Sequence, residues 1–98
     1  MKTYPRKRFG QHFLHDESVV AKIVTSINPK PSDFIVEIGP GLGALTQKIL
    51  AKTGRLTAIE IDRDIIPELK KNCQNLGELS VYQADVLNFD LATLSNIP

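Results

Sequence analysis

Three short apolar runs set the fold of this 98-residue chain: Phe34–Ile38, Leu56–Ile61 and Leu79–Gln83. Between them lie segments whose apolar residues recur at helical spacing. Leu45, Ile49 and Leu50 mark a helix over Ala44–Lys52, with Gly54 just past its end. Ile65, Ile66, Leu69 and Cys73 mark another over Asp64–Asn75, with Pro67 tolerable in its first turn. A strand that is apolar at nearly every position is expected to be covered on both faces, as in a parallel sheet. The alternation therefore predicts a βαβαβ unit, half of a doubly wound α/β sheet. Right-handed crossovers give the strand order 3-2-1 and put all three strand C-termini on one edge. A further helix over Glu17–Asn28 precedes the unit, capped by Asp16 and ended by Pro29 and Pro31. Val86–Pro98 is ambiguous, with room for one helical turn.

Composition excludes several alternatives. No apolar run approaches the roughly 18 residues needed to span a bilayer, and no apolar segment follows the basic N-terminus as in a secretory signal. One cysteine, Cys73, rules out an internal disulfide and a cysteine-based zinc site. These features fit a cytoplasmic protein with no metal site. The net charge of +1 is a cancellation. Lys2, Arg6, Lys7 and Arg8 stand unopposed in the first nine residues, while Gly10–Pro98 holds 8 basic against 11 acidic side chains. A basic arm on a mildly acidic body points to a polyanion or to a solvated terminus. Phe9 and Phe13 interleave with the arm, as for base stacking or for stapling it to the domain.

Chemistry concentrates at the strand ends. The first strand runs into Gly39-Pro40-Gly41-Leu42-Gly43, the second ends at Glu60-Ile61-Asp62, and Asp85 follows the third. Ligands of doubly wound sheets bind in the crevice beyond such ends. Glu60 lies 21 residues after Gly39, the offset at which a carboxylate meets ribose hydroxyls. Dinucleotide sites favour Gly-x-Gly-x-x-Gly, which aims a helix N-terminus at pyrophosphate. Here the third glycine comes one residue early. Asp85 would be a poor neighbour for phosphates and a natural acceptor for an adenine amino group. The pattern favours an adenosyl ligand without phosphate, S-adenosylmethionine, over NAD or a flavin.

With Arg6–Leu14 (Arg-Lys-Arg-Phe-Gly-Gln-His-Phe-Leu), Val36–Thr46 (Val-Glu-Ile-Gly-Pro-Gly-Leu-Gly-Ala-Leu-Thr) and the segment around Asp85, the chain resembles the ribosomal RNA adenine dimethyltransferases. It is most similar to their bacterial small-subunit branch. The resemblance implies a Rossmann-like methyltransferase fold, of which residues 16–98 form the N-terminal half, with residues 1–15 as a basic arm bearing the Gln-His-Phe-Leu cofactor motif. By the same resemblance His12 and Leu14 line the methionine end of the cofactor, and Gly39 and Gly41 supply backbone contacts. Glu60 holds the ribose, Asp85 the adenine amino group, and Ile61 and Val86 sandwich the ring.

The implied reaction is N6-dimethylation of two adjacent adenines in a hairpin near the 3′ end of 16S rRNA during ribosome assembly. The implied partners are small-subunit rRNA and the pre-30S particle, with the full-length enzyme a monomer. The family's catalytic Asn-Leu/Ile-Pro-aromatic motif is expected beyond Pro98. Asn96-Ile97-Pro98 imitates its start, but no helix and strand separate it from Asp85. The 98 residues are therefore expected to bind cofactor weakly, if at all, to transfer no methyl group, and to risk self-association along an open first strand. Two alternatives stand beside this: a large-subunit methyltransferase of the antibiotic-resistance type, or a non-catalytic RNA-binding assembly module using the basic arm.

Overall fold

The computed structural model describes residues 16–96. The basic arm, His12, Leu14 and the Ile97-Pro98 end of the imitation motif lie outside the described residues. Helix α1 spans Glu17–Ile27, and Asp16 caps it by accepting the Ser18 N–H at 3.0 Å. Strand β1 (Val36–Ile38) leads through the glycine turn into α2 (Ala44–Thr53). Strand β2 (Arg55–Glu60) is followed by a 3-10 turn (Arg63–Ile65) and α3 (Ile66–Asn72), and β3 (Glu78–Gln83) completes the sheet. All pairing is parallel and β2 is central. The expected order is borne out.

The core forms where the helices meet the sheet. Val20 and Val24 of α1, Ile49 and Leu50 of α2, Leu56 of β2, and Leu69 and Cys73 from α3 and its C-cap make one buried cluster. Thr57 and Ile59, which alternation places on the opposite face of β2, are buried as well. Burial of β2 from Leu56 to Glu60 matches the expected central strand, with Arg55 alone of its residues exposed. For β1 the expectation of two covered faces is not met: Val36 and Glu37 are half-buried and Ile38 is 49% exposed. The cause is position in the sheet, since β1 pairs only with β2 among the described residues.

Other boundaries shift for local reasons. Phe34 and Ile35 precede β1, although Ile35 still accepts the Thr57 N–H at 3.1 Å. Strand β2 starts at Arg55, paired with Glu78, and stops at Glu60, leaving Ile61 just outside. The expected helix over Asp64–Asn75 opens as a 3-10 turn. Pro67 has no N–H to reach back to Arg63, so Ile66 N–H takes the Arg63 carbonyl in the tighter pattern. The tail forms two 3-10 segments, Val86–Asn88 and Leu91–Asn96, and no strand follows Gln83 among the described residues. Leu94, 2% exposed, anchors it.

Candidate functional site

The C-terminal strand edge brings together Gly39, Gly41, Glu60, Ile61 and Asp85, as expected; each occupies a strand end or the turn beyond it. The glycine turn is left-handed at Gly39 (φ +65°), Gly41 (φ +60°) and Gly43 (φ +97°). Its three glycines do different work. A Cβ built on Gly39 or Gly41 would meet no protein atom within 4 Å, so both keep open space free. One on Gly43 would lie 2.8 Å from Leu69 Cδ1 and 3.3 Å from Cys73 Sγ. Gly43 thus serves the packing of α2 on α3.

Glu60 is 2% exposed and turned into the protein. Its Oε1 accepts the Gly41 N–H at 3.2 Å and its Oε2 the Asp62 N–H at 3.0 Å. One carboxylate thus ties the glycine turn to the exit of β2. Each oxygen has a second lone pair for a further donor. Gly39 N–H donates to Ile59 O at 2.8 Å, so the backbone N–H groups of both Gly39 and Gly41 are taken by protein acceptors. Ile61 is 57% exposed just past the end of β2, with its carbonyl held by Gln83 Nε2 at 2.8 Å. Asp85 is half-buried, and its Oδ1 caps the Val86–Asn88 turn through Leu87 N–H at 3.0 Å. Val86 is half-buried beside it.

Three participants were not singled out from the sequence. Thr46, fully buried in the first turn of α2, donates its hydroxyl to Glu37 Oε1 at 2.6 Å. Burial pushes the Glu37 carboxyl above the ordinary carboxylate range; the Thr46 hydrogen bond opposes this and the nearby charge of Glu60 adds to it. Asn72, at the end of α3, donates to the Leu42 carbonyl at 2.8 Å and pins the turn from the far side. A charged residue inside an apolar run was the one available signal, at Glu37.

The raised Glu37 carboxyl has a consequence for stability. Between its unfolded and folded titration points the folded chain holds the extra proton, so stability is lost as pH rises through that window. Glu37→Gln keeps an acceptor for Thr46 and removes the charge. Its thermal midpoint, relative to wild type, is expected to be higher at pH 8 than at pH 5 in melts followed by circular dichroism. A pH-independent difference would contradict the assignment.

No group of three or more His, Cys, Asp or Glu among the described residues could hold a metal ion. No helix among them is long and apolar enough to cross a membrane. The sequence pattern of the ribosomal RNA adenine dimethylases matches residues 3–96. The chain is 56% identical over 89 residues to a ribosomal RNA small subunit methyltransferase A from Marinobacter nauticus, covering 91% of this chain and 32% of that one. A dimethyladenosine transferase from Plasmodium falciparum superposes with a TM-score of 0.72 at 33% identity, over 78% of this chain and 28% of that one. An RNA methyltransferase from Salinibacter ruber, in complex with S-adenosyl-L-homocysteine, superposes at 0.68 and 22% identity over 78% of this chain and 52% of that one, a likeness of fold. The chain spans about a third of the length of the curated relatives it matches.

Proposed function

The chain belongs to the ribosomal RNA adenine dimethylase family, and from that premise we propose that its 98 residues form the S-adenosylmethionine-binding portion of an rRNA adenine N6-dimethyltransferase. The observation that carries this is the order of groups along one sheet edge. The glycine turn follows β1, Glu60 ends β2, and Asp85 follows β3. An extended ligand lying across that edge meets an adenine acceptor, a ribose acceptor and an open turn in the order of the adenosyl group itself.

The residues fit that ligand better than a dinucleotide. With Gly39 and Gly41 N–H both engaged, those two residues offer a ligand carbonyl oxygen, which suits an ammonium or sulfonium and not a pyrophosphate. The space that a Cβ would fill at Gly39 and Gly41 is open. Glu60 would hold the ribose hydroxyls and Asp85 the adenine amino group. Ile61 and Val86 would offer apolar contact to the ring. His12 and Leu14 are proposed at the methionine end. Bound there, the cofactor supplies an electrophilic methyl group.

The proposed substrate is small-subunit rRNA within the pre-30S particle, at two adjacent adenines of a hairpin near the 3′ end. The relatives' small-subunit assignment favours this over a large-subunit target. The basic arm is proposed to meet RNA phosphates. No strand end among the described residues carries an Asn-Leu/Ile-Pro-aromatic segment, and we assign these 98 residues weak cofactor binding without transfer. Calorimetric titration tests the ligand: S-adenosylhomocysteine should bind and NAD should not. Equal binding of both, or binding of NAD alone, would overturn the proposal.

A further inference from the structure

Two buried or half-buried carboxylates, Glu37 and Glu60, stand on neighbouring strands at one edge of the sheet. Glu60 has backbone N–H donors on both oxygens, whereas among the described residues Glu37 accepts from the Thr46 hydroxyl. Among the described residues, the groups that face Glu37 come from three elements: Thr46 on α2, Glu60 on β2, and Cys73 at the end of α3. None of them is cationic, so Glu37 is the less compensated of the two acids.

Strand order sets which part of the proposed ligand would come nearest to Glu37. If adenine sits at Asp85 beyond β3 and ribose at Glu60 on β2, the atoms attached beyond the ribose must extend over β1. Glu37 is the acid of β1, two residues before Gly39. The sulfur of an adenosyl ligand is attached next to the ribose, so it comes to lie at that end of the cleft. In S-adenosylmethionine this sulfur is a cationic sulfonium; in S-adenosylhomocysteine it is a neutral thioether.

We infer that Glu37 senses the charge of the bound sulfur: it is ionised beneath a sulfonium and takes up a proton from solvent beneath a thioether. The inference rests on the adenosyl assignment of the cleft and adds a specificity device to it. A cation above the turn supplies the counter-charge that Thr46, Glu60 and Cys73 do not. When the sulfur is neutral, the like charge of Glu60 and burial favour the protonated acid. Thr46 is then a positioning residue, because its hydroxyl fixes which way the Glu37 carboxyl faces and can donate to the ionised form. The net effect is that rising pH favours the sulfonium form of the ligand over the thioether.

Carboxyl-13C glutamate NMR on the 98-residue chain reads this directly, with the Glu37 resonance assigned by its loss in Glu37→Gln. The Glu37 midpoint is expected above the usual carboxylate range in the free chain and with S-adenosylhomocysteine. With S-adenosylmethionine it should fall by about one unit or more, equivalent to about a tenfold change in relative affinity across the titration. Thr46→Ser should preserve the difference between ligands, and Thr46→Val should raise the free-chain midpoint. Calorimetric affinities of both ligands at pH 5 and pH 8 should show a ratio that changes in wild type and is flat in Glu37→Gln. Equal midpoints with the two bound ligands would overturn the inference and leave the cleft assignment standing. Binding of neither ligand would overturn both.

Discussion

Glu60→Ala is expected to weaken S-adenosylhomocysteine binding by about a hundredfold or more and to lower the stability of the chain as well. Both effects follow from one buried carboxylate. Its oxygens accept the Gly41 and Asp62 N–H groups, and each keeps a lone pair that the proposed ribose hydroxyls would use. Removing it strands two backbone donors, each at a cost of about 1–3 kcal/mol where water cannot replace the acceptor. Hydrogen bonds from ribose to a charged acceptor contribute about 1.5–3 kcal/mol apiece, so losing two accounts for the affinity change. The two roles are separated from the ligand side. Adenosine should bind wild type more tightly than 2′,3′-dideoxyadenosine, and Glu60→Gln should shrink that difference. Wild-type affinity in Glu60→Ala would contradict the ribose assignment. An undiminished preference for adenosine in Glu60→Gln would do the same.

The second large effect is on folding. Gly43→Ala places a Cβ 2.8 Å from Leu69 Cδ1 and 3.3 Å from Cys73 Sγ, in a core where Leu69 is fully buried and Cys73 nearly so. It also asks an L-residue to hold φ +97°. Left-handed backbone costs about 1–2 kcal/mol and overpacking about 1–3 kcal/mol, so a loss of about 2–5 kcal/mol is expected in urea unfolding. That is a large part of the total for a domain of this size, which is of order 5–15 kcal/mol. Gly41→Ala is the contrast. Its Cβ meets nothing within 4 Å, and at φ +60° only the backbone cost of about 1–2 kcal/mol applies. Gly41→Ala should therefore stay folded while losing affinity for S-adenosylhomocysteine, because the new methyl group projects into the space assigned to the ligand. Equal destabilisation by the two substitutions would contradict the division of labour within the turn.

These two glycines show where sequence reasoning reached and where it stopped. The βαβαβ order, the strand order and the gathering of Gly39, Gly41, Glu60, Ile61 and Asp85 on one edge all follow from local patterns. Periodicity places each element, and the handedness of crossovers places the strand ends together. What the Gly43 side chain would strike was not legible, because Leu69 and Cys73 approach it from a helix some 26 to 30 residues away. The inward turn of Glu60 escaped for the same reason, since one of its two donors belongs to the glycine turn. Thr46 closes the glycine-turn motif, but nothing local shows where its hydroxyl goes; its partner Glu37 lies on another element, nine positions earlier. Pro67 sits in the first turn of α3, as its position in the sequence predicts, but its missing N–H also converts the preceding turn to 3-10 geometry. Burial on β1 was overestimated because apolar sequence reports what a strand can bury and not which neighbours it has.

The claim that an adenosyl ligand lies across the three strand ends is tested most directly by amide chemical-shift mapping of the 15N-labelled chain with S-adenosylhomocysteine. Among residues 16–96, the largest changes are expected at Gly39–Gly43, Glu60–Asp62 and Ala84–Leu87, one cluster for each strand. Changes centred instead on the seam between α1 and α2, where Ala21, Val24, Lys48 and Lys52 line a separate groove, or no changes at ligand concentrations in the millimolar range, would contradict it.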